Sequence, residues 1–343
     1  MRRDANAPTN SSNDPLIGLT MAHLFKIESR LGQGATSRVY RASQLGLNRW
    51  VAVKVLNPEY LQAQAVRARF HREARIAARI AHPAVVPVLM TGQLPIDGPS
   101  QGEFYIVYEY VDGSTLRQVL ETREPLKLSA ILGILIAAGE AVGAAHELGI
   151  IHRDLKPENL MIVRQSDGKN LLRVLDFGLA KLYESSELPL THTGAVLGTP
   201  SYLSPEGARG LAATPRSDVY SLATIGYECL AGNPPFRDTS PIKLLMQQID
   251  CEPPPLTRPA GVAEVPAALA RVIDDNLSKS PSKRAETALS FARAMRQAAA
   301  IEHLPIEDYG PVSALWRNPT EDEDQAGKSG IEAQSPIDES ETS

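Results

Sequence analysis

Four places in this chain carry side chains of the kinds that hold anions, cations and protons. His152-Arg153-Asp154-Leu155-Lys156-Pro157-Glu158-Asn159 packs a base, cations and an amide into one loop, and Asp176-Phe177-Gly178 follows the apolar run 171–175. A carboxylate of ordinary pKa is ionised at neutral pH, so either aspartate can accept a proton or face a cation. Lys54 closes Val51-Ala52-Val53-Lys54 among apolar neighbours. An unpaired buried ammonium is costly, so it needs a carboxylate or phosphate partner, and Glu73 is a candidate. Leu31-Gly32-Gln33-Gly34-Ala35-Thr36-Ser37-Arg38-Val39 supplies glycines that let backbone amides come close to phosphate oxygens. Taken singly, each has a plainer reading: Gly-x-Gly turns often serve only hairpins, and single charges are usually solvated. The glycine turn also lacks the following helix of a dinucleotide fingerprint and the Gly-Lys-Ser/Thr of a P-loop.

The elements that must position these groups change character along the chain. From Phe25 to Val55, and again near 85–89 and 104–110, short apolar alternations separated by turns predict a small antiparallel sheet. One helix interrupts it, about 62–80, where Val66, Phe70, Ala74 and Ala77 recur at three- and four-residue intervals. Beyond Val111 the texture is helical, near 115–120, 129–148, 216–231, 242–250, 266–277 and 286–303. A β-rich lobe with one helix therefore precedes a larger, mainly helical lobe, an α+β arrangement.

Composition bounds the rest. With 343 residues, 43% hydrophobic and 22% charged, the chain can bury a substantial core. A net charge of -5 argues against a surface that clings throughout to nucleic acid or anionic lipid. Two cysteines, Cys229 and Cys251, match no metal-ligand spacing and suit a reducing cytoplasm. No secretory signal is readable after Met1, and the apolar stretch 130–145 falls short of the roughly 20 residues a membrane helix needs, so no membrane span is expected. Residues 1–22, rich in Asn, Ser and Pro, read as a flexible arm, and residues 23–304 as one domain divided at Val111 into lobes 23–111 and 112–304. From Glu302 onward eleven acidic residues face only Arg317 and Lys328, so 305–343 reads as a disordered acidic tail.

The order of glycine turn, Val-Ala-Val-Lys, helix glutamate, His-Arg-Asp, Asp-Phe-Gly and Ser204-Pro205-Glu206 spans most of residues 25 to 300 and resembles the protein kinase family, with wording closest to bacterial serine/threonine kinases of the eukaryotic-like type. The resemblance implies a bilobal kinase fold and transfer of the γ-phosphoryl of ATP, with Mg2+ or Mn2+, to serine or threonine hydroxyls of protein substrates. It implies roles residue by residue. Residues Leu31 to Val39, with Ala52 above and Met161 below, would enclose the nucleotide, and backbone groups of Glu109 and Val111 would read the adenine edge while Tyr108 guards the back. Lys54, oriented by Glu73, would hold the α- and β-phosphates. Asp176 and Asn159 would ligate the metal, a hard cation that takes oxygen donors. Asp154 would take or orient the hydroxyl proton, Lys156 would steady the γ-phosphate, and Thr199 would contact both near the acceptor.

Between Asp176 and Glu206 lies a hydroxyl-rich stretch of the kind surface loops often carry, and the resemblance implies that self-phosphorylation there, at Thr191 or Thr193, activates the chain, the new anion meeting Arg153. Two copies acting on each other would be the route. Asp218 matches the family's brace beneath the catalytic loop and Arg284 its partner for Glu206. Departures are mild: Ser37 replaces a third glycine, Thr36 stands where a larger cap is common, and Ser204 replaces an alanine.

Overall fold

Alternation with period two decides the first sheet. The computed structural model describes residues 14–34, 37–60, 74–75, 77–94, 102–165, 169–177, 200–259 and 264–310. Strands β1 (Thr20–Met21), β2 (Phe25–Gln33), β3 (Ser37–Gln44), β4 (Arg49–Leu56), β5 (Val88–Gln93) and β6 (Phe104–Glu109) form one antiparallel sheet in the order β1-β2-β3-β4-β6-β5. Val51, Val53 and Val55 point to one face and are fully buried with Tyr40, Ala42 and Ile27. Ala52 and Lys54 point to the other. There Lys54 is in register with Val39 on one side and Ile106 on the other, and Ala52 with Tyr108.

The lobe begins earlier than the sequence suggests. Leu16 and Met21 are buried in the same cluster as Phe25, and Tyr40 donates to Asp14 at 3.0 Å, so residues from Asp14 onward belong to the sheet's core rather than to an arm ending at 22. The strand expected over 85–89 is also displaced, to Val88–Gln93. Pro87 has no N–H to give to a ladder, and Val85 instead bridges Val174 across the lobes. Most of the expected helix 62–80 lies outside the described residues. At its end, Ala74 packs under the sheet with Leu56 and Ile106, whereas Ala77 and Ile80 join the core of the second lobe.

The second lobe is built from α1 (Leu116–Glu121), α2 (Leu128–Glu147), α3 (Pro205–Ala208), α4 (Pro215–Ala231), α5 (Pro241–Asp250), α6 (Ala267–Asn276) and α7 (Ala288–Ile301), with a small sheet of β7 (Ser114–Thr115), β8 (Leu160–Arg164) and β9 (Asn170–Val174) facing the cleft. Each helix expected in this lobe is present within two residues of its expected ends. Thr115 is the cap of α1 rather than its first residue: its hydroxyl accepts from the Gln118 N–H at 3.1 Å, and Gln118 Oε1 accepts from the Thr115 N–H at 2.8 Å. Gly232, in the left-handed region at φ 79°, ends α4.

Helix α2 is the axis of the lobe. It runs 20 residues, so the expectation that it is too short to span a membrane does not hold; what describes it is its packing, with 83% of its apolar window buried in the core. A Cβ on Gly139 would lie 2.9 Å from the Ala288 carbonyl and from Ala292 Cβ, and this hydrogen-sized side chain is what lets α7 approach. The packing continues past the expected boundary at 304. Glu307 N–H donates to the Ser129 carbonyl at 3.0 Å, Leu172 N–H donates to the Tyr309 carbonyl at 2.8 Å, and the Tyr309 ring is buried. Cys229 is buried, Cys251 is exposed, and both are free.

Candidate active site

One ladder brings the two expected metal-facing residues together. Strands β8 and β9 pair with Leu160 opposite Val174, so Asn159 and Leu175 flank the same end, and the Leu175 N–H donates to the Asn159 carbonyl at 2.9 Å. Asp176 follows Leu175 directly and so stands beside Asn159. Its backbone sits at φ 56°, a conformation that a non-glycine residue holds only when its surroundings impose it. Phe177, next in the chain, is buried with its ring centroid 4.7 Å from that of His152.

His152 anchors the loop that carries Asp154. Its Nδ1 accepts from the Asp154 N–H at 3.3 Å, so the proton sits on Nε2, which donates to the Leu175 carbonyl at 2.8 Å. Burial lowers the imidazole pKa; Asp218, Asp154 and Asp176 pull the other way without reversing it, and the ring is neutral. Asp218, 1% exposed on α4, accepts from the backbone N–H groups of His152 at 2.7 Å and Arg153 at 2.9 Å, and contacts His146 Nε2 at 2.9 Å. This is the brace expected from the sequence. It holds Arg153 at φ 67°, a left-handed residue immediately before Asp154.

Asp154 is thereby presented with its neighbours already engaged. Lys156 Nζ donates to its Oδ2 at 2.8 Å, and Asn159 Nδ2 donates to its carbonyl at 2.7 Å and its Oδ2 at 3.1 Å. Across the cleft, Lys54 Nζ lies 2.9 Å from Asp176 Oδ2. Burial would raise the Asp176 carboxyl, but the charge and hydrogen bond of Lys54 outweigh it and keep the pKa below the usual aspartate value. Glu73, the partner expected for Lys54, lies outside the described residues, as do Ala35, Thr36, Thr191, Thr193 and Thr199.

Between the lobes is a cavity of about 260 Å³ whose walls include Leu31, Gly32, Val39, Ala52, Lys54, Tyr108, Glu109, Val111, Met161 and Asp176. The sequence-derived nucleotide residues thus converge on one concave, mostly apolar space. Val86, Tyr110, Thr115, Gln118 and Leu175 line it too and carry no motif that would have singled them out. Other expected contacts are engaged elsewhere: Arg38 Nη2 donates to Glu103 at 2.5 Å, Gln33 accepts from Arg30 at 3.3 Å, and Ser37 is buried, its carbonyl accepting from the Gly34 N–H at 2.8 Å to close the turn. The Glu109 N–H donates to the Pro87 carbonyl at 3.3 Å, which fixes the connection between the lobes. The donor set suits a hard divalent cation, because an anionic Asp176 carboxylate and the amide oxygen of Asn159, whose nitrogen is already spent on Asp154, are both oxygen ligands.

A model of the protein kinase domain matches residues 25–297. The chain is 38% identical over 280 residues to serine/threonine-protein kinase pkn3 of Myxococcus xanthus, covering 81% of this chain and 50% of that one. It is 41% identical over 273 residues to PknB of Mycobacterium tuberculosis, covering 78% and 42%. The crystal structure of the Mycobacterium tuberculosis PknI kinase domain superposes with a TM-score of 0.61 at 30% identity, covering 82% of this chain and 98% of that domain. A two-lobed fold with this cleft defines a protein kinase, and the chain belongs to the bacterial-type serine/threonine protein kinase family. That family uses ATP with a divalent metal ion. The chain spans half or less of the length of these curated relatives.

Proposed function

We propose that this chain transfers the γ-phosphoryl of ATP to serine or threonine hydroxyls of protein substrates. The observation that carries it is that Lys54 and Asp176 meet at 2.9 Å in the wall of an apolar cavity, while Asn159, whose carbonyl accepts from Leu175 beside Asp176 at 2.9 Å, joins Lys156 in donating to Asp154 Oδ2 at 2.8 to 3.1 Å. Phosphoryl transfer needs positioning and charge neutralisation more than covalent help, since charge spreads over the equatorial oxygens as the group moves. Lys54 would meet the α- and β-phosphates, with Glu73 orienting it. Asp154 receives the acceptor's proton at Oδ2 or orients its hydroxyl, and Lys156, already at that oxygen, reaches the transferred group. Asp176 and Asn159 would hold Mg2+ (or Mn2+), which neutralises phosphate charge. Thr199 would contact Asp154 and Lys156 near the acceptor, and Thr191 and Thr193 would be self-phosphorylation sites acting through Arg153, two copies serving each other in the cytoplasm where ATP is abundant.

A scaffold that binds nucleotide without turnover is the rival, and the intact Asp154 constellation speaks against it. The test is incorporation of labelled phosphate from ATP into a generic basic protein. Asp154→Ala is expected to lose activity by at least about a thousandfold while still binding ATP, and undiminished turnover would remove Asp154 from the mechanism. Mass spectrometry of the wild type after incubation should find phosphate on Thr191 or Thr193.

A further inference from the structure

We propose that Arg38 and Glu103, together with Asp14, are positioning residues for nucleotide binding: their contacts on the far face of the first sheet fix the hairpin that walls the cavity. The proposal rests on the reading of that cavity as the ATP site and names what holds its wall in place.

Leu31, Gly32 and Val39 line the cavity at a point where the ladder between β2 and β3 is interrupted. Arg30 pairs with Tyr40, Gly32 with Val39 and Gln33 with Arg38, but the register slips between Arg30 and Gly32 and leaves Leu31 without a register partner. A slip of this kind re-aims a side chain and bends the strand that carries it. The ladder alone therefore holds the hairpin poorly at the residues that face the nucleotide.

Each side of the slip is held from the face that carries Val51, Val53 and Val55. Before it, Tyr40 is buried in that core and donates to Asp14 Oδ2 at 3.0 Å, and its partner Arg30 lies 3.5 Å from the same oxygen. After it, Arg38 donates to Glu103 Oε2 at 2.5 Å, so its side chain turns away from the cavity that the next residue, Val39, lines. Neither acid belongs to the hairpin. Asp14 precedes β1, and Glu103 immediately precedes β6 and accepts at its carbonyl from the Leu94 N–H at 2.8 Å. The two carboxylates thus tie β2 and β3 to other parts of the lobe.

These charges are taken out of water. The side chains of Asp14 and Glu103 are each 4% exposed and that of Arg38 14%. Burial pushes the Glu103 carboxyl above its ordinary value, and the Arg38 charge opposes the rise. Separating such a pair strands two charges in the interior, so it keeps its geometry. Without the tie the hairpin is free to tilt at Leu31, and the loss falls on nucleotide binding although neither Arg38 nor Glu103 lines the cavity.

The test measures Kd for ATP by calorimetry, and KM for ATP and kcat with a generic basic protein as acceptor, in wild type, Arg38→Met and Arg38→Met/Glu103→Leu, alongside thermal melting. Arg38→Met leaves Glu103 in the interior without its cation and should melt lower; the double variant removes both charges and should regain most of that loss. If the pair only stabilised the fold, ATP binding would recover together with melting. For a positioning pair, Kd and KM stay raised about fivefold in the double variant while kcat stays within about twofold of wild type, the pattern left when ground-state binding alone is lost. Kd and KM within about twofold of wild type in the double variant overturn the proposal, as does a fall in kcat with KM unchanged. If the double variant does not fold, Asp14→Asn decides: it should raise Kd about threefold, and an unchanged Kd overturns the proposal. Wild type that binds no ATP strikes the ATP reading and this proposal together. Wild type that binds ATP and labels no protein strikes the transfer reading alone, and the Kd values still decide this proposal.

Discussion

Arg284 donates from both terminal nitrogens to the two carboxylate oxygens of Glu206, at 2.9 and 3.0 Å, and reaches the carbonyls of Ser278, Arg216 and Lys279 while lying over the Tyr220 ring. Burial would raise the Glu206 carboxyl, but Arg284 and the Ser217 hydroxyl at 2.6 Å bring its pKa below the usual value. Removing one partner strands the other charge in the interior, so Arg284→Ala is expected to cost about 3–5 kcal/mol, read as a lower denaturant midpoint. At the cleft, Lys54→Met should lower kcat/KM for ATP by at least about a hundredfold, because the Asp176 carboxylate loses the cation beside it and the phosphates lose theirs; steady-state kinetics at saturating acceptor would show it.

Among the elements, the segment after α7 works as a strap. It crosses α2 at Gly133, where an added Cβ would lie 2.2 Å from the Glu307 carbonyl oxygen and 2.6 Å from the Tyr309 ring, and then bonds to Leu172 in β9. Asn170 in the same strand donates to Glu307 at 3.0 Å. Strand β9 leads into Asp176, so the strap backs the sheet that places this carboxylate in the cleft. Gly133→Val must push the strap away from α2. We expect a loss of about 1–3 kcal/mol and faster proteolysis after His303, measured by thermal melting and limited digestion. Equal digestion rates in the two proteins would show that the strap is not held there.

For the molecule as a whole, acid should loosen the fold through two histidines before it reaches the carboxylates. Burial lowers the pKa of His152, and also of His82, despite the nearby Glu140 charge. A group whose pKa falls on folding binds fewer protons in the native state, so its stabilisation is complete above the unfolded value of 6.5 and is lost as pH falls below it. Each histidine contributes a slope of at most about 1.4 kcal/mol per pH unit. Asp176 and Glu206, also lowered, follow only further down, near the carboxylate range. Melting temperature should therefore fall between about pH 7 and 5, and His152→Gln should flatten part of that slope.

The kinds of element, their order and the motif residues were legible in the chain before any folding, because adjacent residues record them. Period-two alternation marks Val51, Val53 and Val55 as core and Ala52 and Lys54 as the opposite face. Boundaries depended on contacts that no local pattern records. Leu16 is buried in a cluster with Met21, Phe25 and Tyr40 of the first sheet, and Tyr309 packs where a side chain at Gly133 of α2 would collide with it. That Arg117, Glu158, Tyr202 and Glu228 meet was settled by packing alone, since residues up to 111 positions apart become neighbours when helices pack, and charges buried by that packing must find partners.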